Sequence, residues 1–432
     1  MINTYFAERR EAVHVLHQHG GTEARAERYQ GIGRTEYSGN GSRHHYDTVA
    51  PDDVRIDAAT RSALDELLMP WPTAVSAETA LTELAAGLAG AAGLAKGVEL
   101  VVSLRSYEQD VLAGPAEALL ADTRRFYTVN LEARDGRRAD GRPDVHARRD
   151  SAVADLDDLP ALAGELLRQL RTDLDVARDL PERSLPLAQR PVVLGPGTGG
   201  MFFHELCGHP LEADVIASGT SQLAALRGQR VGPEWLTVLD DPCSEEAVFG
   251  YRVDDEGTPA EAVALIRDGV VADPLHSRAT AAAMGERPNG HGRRMSYLYP
   301  ALPRQCHTRV LPGRHTDDEV LGTAGEAVLV HRFRVRYVFV DGGGFSFFAP
   351  SALLLEDGKP VARLRDVEIT GDIVSTLGNI RAIGDRGVAW IGGGGCGKLN
   401  QGPLITGFEQ PHVLVDGLSS ASTHFTGENG DR

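Results

Sequence analysis

The sequence predicts an α/β N-terminal domain, residues 1–185, followed by a β-rich (α+β) C-terminal domain, residues 186–432. Three observations lead to this prediction. The 432 residues are too many for one typical compact domain. Segments with helical and with strand-like patterns alternate up to a cluster of prolines at positions 181, 186 and 191, which is typical of a boundary. Beyond the prolines, short apolar runs are separated by glycines, as in a β-rich domain.

Five segments of the first part carry a periodic pattern. Apolar residues at helical spacing predict helices over Glu8–His19, Ala77–Ala95 and Asp157–Arg178. Val98–Leu104 and Arg125–Leu131 have the composition of strands. We find no cluster of titratable residues of catalytic type here, and we therefore expect this domain to serve in packing or in partner contact.

The second part is predicted to consist mainly of strands. The glycines between them permit positive φ and let the backbone approach a ligand or another strand closely. We therefore expect a β-rich domain whose loops carry function. The strand-like runs are Val192–Leu194, Ala262–Ile266, Ala327–Leu329, Arg334–Val340 and Val388–Ile391.

Composition excludes several classes of protein. With 42% hydrophobic and 24% charged residues the chain has globular composition, and a net charge of −17 argues against a nucleic-acid partner. The four cysteines are far apart and show no disulfide-scaffold spacing. The N-terminal MINTYFAERREAV lacks the apolar core of a secretory signal, and we find no run long enough to span a membrane. We expect a cytoplasmic protein with free thiols and no membrane partner.

The stretch GGMFFHELCGHPLEAD, Gly199–Asp214, has the composition of a metal site. It contains His204-Glu205, three further residues and then His209. Paired imidazoles are common zinc ligands, and a neighbouring glutamate is well placed to take a proton from a water bound to the metal. This predicts His204 and His209 as zinc ligands and Glu205 as general base. Two ordinary polar histidines at a helix end would also give the pattern.

The spacing of the two histidines has a structural consequence. On a regular α-helix, five residues rotate roughly 500°, about 140° past a whole turn, so the two rings would diverge. Gly208 and Pro210 flank His209, and proline disfavours helical geometry at the residue before it. We therefore predict that the helix beginning near Gly200 ends or bulges between Leu206 and His209.

A tetrahedral zinc ion at a catalytic site needs one further protein ligand and an open position. Cys396 in GGGGCGKLNQG is the best candidate, because a thiolate on a glycine-rich turn can approach a metal closely and Lys398 would favour the thiolate. Cys207, which is closer to the two histidines in the sequence, is a competing candidate for the third ligand. Glu212 and Asp214 also remain possible, either as ligands or as residues that orient a histidine.

Four stretches of the chain together resemble the TldD/PmbA family, and specifically its TldD-type, metal-bearing members. They occur in the order and at the spacing found in that family, and the resemblance covers about Pro191 to Gly417. The stretches are HELCGHPLEAD, DDEGTPAEAVALIRDGVVADPLHSRATA (Asp254–Ala281), NGHGRR (Asn289–Arg294) with the following PALPRQCHTRVLPG, and WIGGGGCGKLNQG (Trp390–Gly402).

The resemblance implies a zinc peptidase whose second domain is catalytic. Carried over residue by residue, it implies His204, His209 and Cys396 as Zn²⁺ ligands and Glu205 as catalytic base. It also implies an enclosed site for short or unfolded peptides and a heterodimer with a TldE-type (PmbA-like) subunit; a homodimer is the alternative. An amide hydrolase acting on a peptide-like conjugate in small-molecule biosynthesis is an alternative that these residues do not separate from a peptidase, because the chemistry is the same. A non-catalytic TldE-like partner subunit is a further alternative, against which the intact set of four residues argues.

The segment His276-Ser277-Arg278 lies within the second of these stretches. His276 and Arg278 are predicted to bind substrate, either by stabilising a tetrahedral oxyanion or by gripping a peptide carboxylate. A structural turn that satisfies its own hydrogen bonds is the alternative interpretation.

Overall fold

The computed structural model describes residues 2–38, 41–48, 58–69, 76–137, 141, 144–197, 199–391 and 395–423. It is a mixed structure in which strands predominate, as the sequence predicts.

Six antiparallel strands form one sheet in the first part of the chain. Their order in space is β3-β2-β1-β4-β5-β6, so that every neighbouring pair except β1 and β4 is also adjacent along the chain. The strands are β1 (Ile2–Gln18), β2 (Gly21–Ser38), β3 (Gly41–Asp47), β4 (Glu99–Gly114), β5 (Leu120–Asp135) and β6 (Val145–Val153).

Three helices accompany this sheet: α1 (Ala58–Leu67), α2 (Ser76–Gly90) and α3 (Leu159–Asp179). The leucines of α3 recur on one face and pack with α2 against buried side chains of β1, β4, β5 and β6. The predicted helices over Ala77–Ala95 and Asp157–Arg178 are confirmed within a few residues, although a short 3₁₀ turn, Leu156–Asp158, opens the second.

The predicted helix over Glu8–His19 is wrong, because these residues belong to β1. Both faces of this strand are covered. Val13 and Val15 point into the core beneath α2 and α3, whereas Ala12 and His14 line a cavity on the other side. Because both faces are covered, apolar and polar residues do not alternate along this strand as they do in a half-buried one. The spacing of its apolar residues therefore resembles that of a helix.

The second part contains eighteen named strands and five short α-helices in the described residues. The helices are α4 (Gly200–Phe203), α5 (Ala213–Ala217), α6 (Arg278–Met284), α7 (Asp317–Gly322) and α8 (Ile373–Gly378), with 3₁₀ turns at His209–Leu211 and Ala224–Leu226. The strands are β7 (Glu182–Arg183), β8 (Ala188–Leu194), β9 (Val238–Asp240), β10 (Val263–Arg267), β11 (Val270–Val271), β12 (Gly292–Arg293), β13 (Leu302–Pro303), β14 (His307–Val310), β15 (Ala327–Val330), β16 (Arg334–Val338), β17 (Gly344–Glu356), β18 (Lys359–Asp372), β19 (Ile380–Ile383), β20 (Val388–Ile391), β21 (Cys396–Lys398), β22 (Gln401–Leu404), β23 (Gly407–Gln410) and β24 (Val413–Ser422).

Two large sheets organise these strands. The eight-stranded sheet runs β16-β17-β15-β8-β24-β18-β7, with β19 paired to β24, and it closes on itself because β18 also pairs with β17. The six-stranded sheet runs β11-β10-β9-β14-β23-β20, with β14 and β23 parallel. All five sequence-predicted strand positions of this part overlap strands, with ends that agree within two residues except at the start of β8, and the largest hydrophobic core joins the two sheets.

The two parts of the chain touch through side chains of both. Phe126 of β5 packs with Phe249 and Tyr251, and the buried guanidinium of Arg124 lies 2.6 Å from Asp255 Oδ1. None of the described helices is long and apolar enough to cross a membrane.

Candidate metal centre

Strand β8 leads directly into the candidate centre. Its residues Val192–Leu194 are fully buried between β15 and β24, which fixes the position of the glycine-rich turn that follows. After this turn α4 begins, and Phe202 and Phe203 anchor it in the main hydrophobic core. The motif that starts at His204 is therefore held by a rigid core at its N-terminal side.

The backbone bulges where the histidine spacing requires it. His204–Gly208 forms a π-helical turn in which the N–H of His209 donates to the carbonyl of His204, and a 3₁₀ turn begins at His209. The predicted bulge is confirmed, although it starts at His204 rather than at Leu206. An extra residue in the turn brings the two rings together with their centroids 4.8 Å apart.

Gly208 permits this turn for a steric reason. A Cβ at this position would lie 1.5 Å from Oε1 of the buried Gln305. The close approach of Gln305 to the backbone of the bulge leaves room only for glycine.

Cys396 reaches the histidines from a short hairpin, β21 and β22. Its tight turn has Leu399 and Asn400 at φ of 48° and 63°, and Gly395 before the cysteine has φ of 64°. A Cβ at Gly395 would lie 2.4 Å from the carbonyl oxygen of Leu404. The glycine therefore lets the two strands of the hairpin close, and the hairpin presents the Cys396 side chain to His209.

The donor atoms of His204, His209 and Cys396 all lie within 4.8 Å of one another, and Cys396 Sγ is 3.1 Å from His209 Nε2. With zinc–nitrogen and zinc–sulfur bonds of about 2.0–2.3 Å, a tetrahedral ion needs donors roughly 3.3–3.6 Å apart, which small side-chain rotations from this arrangement provide. Two imidazole nitrogens and one thiolate are a zinc-type donor set. The residues therefore fit a zinc ion. Among the described residues, this is the one group of three or more such side chains that could hold a metal.

The competing cysteine does not share this environment. Cys207 is fully buried in the hydrophobic core, and burial raises the pKa of its thiol. At Cys396, burial works against the thiolate, but His209 and His204 outweigh it and lower the pKa of the thiol to about 4. The sequence predicts that Lys398 favours the Cys396 thiolate. In the structure the ammonium of Lys398 contacts Glu212 and Asp214 instead. The thiolate is the metal-binding form of cysteine.

Glu212 lies behind His209 and is fully buried. Its Oε2 is 2.9 Å from His209 Nδ1 and 2.9 Å from Lys398 Nζ, and the guanidinium of Arg304 is 3.9 Å from Oε1. Burial would raise the pKa of Glu212, but His209, Lys398 and Arg304 together lower it to about 2. The carboxylate therefore accepts a hydrogen bond from Nδ1–H and leaves His209 Nε2 facing Cys396.

The other histidine has a neutral partner. His204 Nδ1 lies 3.4 Å from the hydroxyl of Thr308, which is 2.9 Å from Asp240 Oδ2. Both Thr308 and Asp240 are buried on neighbouring strands, β14 and β9. A chain from imidazole to hydroxyl to carboxylate thus orients the His204 ring.

Glu205 lies beside these donors. Its Oε2 is 4.0 Å from His209 Nε2, and its side chain is 17% exposed. Burial alone would lower the pKa of His209, but Cys396, Glu212 and Glu205 raise it well above its ordinary value. Glu205 has no hydrogen bond to the donors within the described part of the chain, so its carboxylate is available to a group in the cavity.

A cavity of about 1070 Å³ opens onto the centre, and His204, Glu205, His209 and Cys396 all line it. Its apolar lining near these residues includes Met201, Trp390 and Phe408. The opposite wall is the first sheet: residues of β1, β2, β4, β5 and β6 line the same cavity. Sequence reasoning missed this contribution, because the lining residues alternate along strands and form no local motif.

His276 and Arg278 lie elsewhere. Neither is among the described residues that line the cavity. The Arg278 guanidinium contacts the carbonyls of Glu256 and Gly257, and the buried His276 lies near Thr280 and Glu286 around a capped helix start. These contacts favour the structural turn, and substrate binding by the two residues stays a prediction.

The comparisons with known proteins agree with one another. Residues 188–422 match the model of the PmbA/TldA metallopeptidase C-terminal domain. A metalloprotease of Synechocystis sp. is 34% identical over 226 residues, covering 52% of this chain and 48% of the relative. A metalloprotease TldD homolog of Haemophilus influenzae is 29% identical over 262 residues, covering 61% and 53%. The chain thus spans about half the length of the curated relatives it matches.

Solved structures match over nearly the whole chain. TldE from Thermococcus kodakarensis superposes with a TM-score of 0.75 at 15% identity, covering 97% of this chain and 96% of that one. A putative modulator of a DNA gyrase from Thermotoga maritima gives a TM-score of 0.73 at 16% identity, with the same coverage. At these identities the likeness shows the fold alone.

Proposed function

Because this chain belongs to the PmbA/TldA metallopeptidase family, we propose that it is a zinc-dependent peptidase that hydrolyses amide bonds of short or unfolded peptides. The observation that carries the proposal is the meeting of His204, His209 and Cys396 beside Glu205 on the wall of one large cavity. These three donors would hold the zinc ion. When bound, zinc would supply a Lewis acid that polarises an amide carbonyl and acidifies water.

Glu205 is the proposed general base. Its carboxylate lines the cavity next to the donors, within reach of a water molecule placed there. In the reaction it would take a proton from the attacking water and pass it to the leaving amine, so that neither hydroxide nor an amide anion has to be released. The apolar lining around Trp390 and Phe408 would exclude bulk water from this exchange.

Two carboxylates are proposed to position the histidines. Glu212 fixes the tautomer and orientation of His209 through Nδ1, and Asp240 acts on His204 through the hydroxyl of Thr308. Both acids are buried, and an oxygen of each is engaged by protein groups.

The size of the cavity supports a peptide substrate. Sites for small ligands span about 300–1,000 Å³. A cavity of about 1070 Å³ between two sheets has room for several residues of extended chain and none for a folded domain. We propose that residues 1–185 and 186–432 act as two domains, of which the second supplies the metal centre and the first a wall of the cavity.

Assembly with a second subunit is part of the proposal. One structural neighbour is TldE, and several relatives are named TldD homologs, which supports pairing of this chain with a TldE-like subunit. A homodimer is the alternative. The complete donor set with Glu205 argues against a non-catalytic TldE-like role for this chain, because a subunit without catalysis has no need of that set.

One experiment tests the function directly. The purified chain, alone and with a TldE-like subunit, is assayed on a small domain in its folded form and in a permanently unfolded form, before and after removal of metal by a chelator. We expect cleavage of the unfolded form only, loss of activity on chelation and recovery with Zn²⁺. Light scattering reports which assembly is active. Equal cleavage of folded and unfolded forms, or full activity without metal, would refute the proposal.

A further inference from the structure

The wall of the cavity opposite the metal centre carries a row of basic residues. His14 of β1 pairs in register with Arg25 of β2 on one side and with Arg105 of β4 on the other. Side chains directly opposite each other on antiparallel strands have Cβ atoms about 4.5–5.5 Å apart. All three residues line the cavity, and so does Arg148 of β6. We call Arg25, Arg105 and Arg148 the arginine wall.

The charges of this wall act on one another. Burial, Arg105 and Arg25 lower the pKa of His14, and burial and Arg148 lower the pKa of Arg105. The three arginines lie on alternate strands, β2, β4 and β6, and like charges that face one cavity repel one another. The first sheet therefore bears an electrostatic cost on the face that it turns toward the cavity.

Few acidic groups offset this cost from within the cavity. On the sheet side the lining contains two carboxylates, Glu27 and Asp150, among the residues that the structure describes. Asp150 is engaged by the indole N–H of Trp390, at 2.6 Å, and by the guanidinium of Arg332. Within the same described ranges, Arg25 makes no hydrogen bond or ion pair and its side chain is exposed to the cavity.

The positive charge of the arginine wall contrasts with the negative net charge of the whole chain. The net charge is −17, so a cationic cavity wall does not follow from composition. Guanidinium groups bind carboxylates through paired hydrogen bonds and are suited to planar anions. A carboxylate seated on the wall would relieve the repulsion among the arginines while the rest of the ligand reaches toward Cys396 and Glu205.

We propose that the arginine wall binds a carboxylate of the substrate, which selects acidic peptides or peptide-like conjugates for the metal centre across the same cavity. This inference rests on the proposed peptidase function and names its substrate class. The carboxylate comes either from an acidic side chain or from the C-terminus, since both present the same group to a guanidinium.

Four fluorescent peptides of one length test the proposal. They combine Glu or Gln at one position with a free or an amidated C-terminus. Binding is measured by fluorescence anisotropy on the full chain carrying Glu205→Gln, so that the peptides are not consumed. We expect at least one carboxylate-bearing peptide to bind roughly ten-fold more tightly than the neutral one. The pair that shows the difference identifies the source of the carboxylate.

Variants of the wall complete the test. The double variant Arg25→Gln/Arg105→Gln should abolish the preference for a carboxylate. The single variant Arg148→Gln should reduce this preference, and it provides the test if the double variant does not fold. Arg125→Gln is the matched control, because this exposed arginine of β5 does not line the cavity, and it should keep the full preference. Equal binding of all four peptides, no binding of any, or a preference that survives the wall variants would overturn the inference.

Hydrolysis of the same four peptides by the chain without the Glu205→Gln substitution separates this inference from the proposed function. Cleavage of all four peptides without a binding preference would defeat the arginine wall and leave the peptidase standing. A clear binding preference without hydrolysis of any peptide would leave the arginine wall standing and refute the proposed peptidase function.

Discussion

Glu212 Oε2 lies 2.9 Å from His209 Nδ1, on the side of the ring away from Cys396. This contact decides which nitrogen of His209 faces the thiolate. It also ties the metal centre to a buried network that includes Lys398 and Arg304, so that the position of the ring depends on residues almost 190 positions apart in the sequence.

Glu212→Gln should weaken zinc binding by roughly ten- to hundred-fold, because the amide cannot hold the Nδ1 proton as firmly as the carboxylate does. Competition with a chelating dye measures the affinity. Asp214→Asn is the matched control, since Asp214 contacts Lys398 but makes no hydrogen bond to His209 among the described contacts. Unchanged affinity in the Glu212 variant would show that the contact is dispensable.

Cys396→Ser should leave the chain largely free of zinc, whereas the unmodified chain should carry about one ion. A hydroxyl is a much poorer zinc ligand than a thiolate, and two histidines alone hold the ion weakly. Mass spectrometry of the purified proteins gives the metal content. Cys243→Ser changes an exposed thiol outside the centre and should keep its zinc. Retention of a full complement by the Cys396 variant would exclude Cys396 as a ligand.

Glu205→Gln should keep its zinc and lose roughly two to four orders of magnitude in turnover, the usual effect of removing a general base. Steady-state hydrolysis and metal analysis of the same preparation provide the two readouts. Glu234→Gln, at a glutamate that is 84% exposed, serves as the control. If the Glu205 variant loses its metal instead, Glu205 is a ligand and the assignment as base is wrong.

Gly208→Ala should destabilise the chain by about 1–3 kcal/mol through overpacking against Gln305 and should weaken zinc binding with it. Chemical unfolding and chelator competition report the two effects. Adding Gln305→Ala should recover part of the loss, since it removes the atoms that the new methyl group meets. Gly164→Ala, whose methyl group would meet no atom within 4 Å, should instead stabilise α3 by about 0.5–1 kcal/mol. Strict additivity of Gly208→Ala and Gln305→Ala would contradict this steric account.

The buried pair Asp254 and Glu256 predicts a loss of stability at higher pH. Burial and the charge of Glu256 raise the pKa of Asp254 from 3.8 to about 7. A folded-state pKa above the unfolded one contributes stability that is full below the unfolded pKa and is lost as pH rises through the folded one. The free energy of unfolding should therefore fall between about pH 4 and about pH 7 and level off above.

Glu256→Gln should flatten this dependence, because it removes the neighbouring charge while its amide can still contact Tyr37 and accept from the N–H of Arg278. Urea unfolding at several pH values gives the comparison. Glu356→Gln, at an exposed glutamate, should leave the slope as it is. The same slope in the Glu256 variant would mean that other groups cause the dependence.

Local sequence patterns predicted the local parts of this structure. The amphipathic helix α3 has one buried face, and its leucine period shows it directly. The bulge at His204–Gly208 followed from the spacing of two histidines around Gly208 and Pro210, because helix geometry leaves few ways to bring both rings together. The glycine-rich turn around Cys396 made it the best candidate for the third ligand, but Cys207, Glu212 and Asp214 stayed open until the family resemblance selected it, since no local pattern links residues so far apart.

The parts that were missed depend on long-range pairing. Strand β1 reads as a helix because α2 and α3 cover one face and the cavity occupies the other. The row of Arg25, His14 and Arg105 exists only through the registers of β1 with β2 and β4. Each of these residues is unremarkable in the sequence, and only strand order places them opposite the metal centre.

The 187 positions between His209 and Cys396 also set the time at which the site can be completed in the cell. A ribosome that has just released His204 and His209 has yet to synthesise the hairpin that brings the thiolate, and β24, which pairs with β8 at the base of the motif, is made later still. The nascent chain therefore cannot assemble all three donors until most of its second part has emerged. Completion of the three-donor set is consequently a late event in the biogenesis of this protein, and a translation product truncated before Cys396 would lack it.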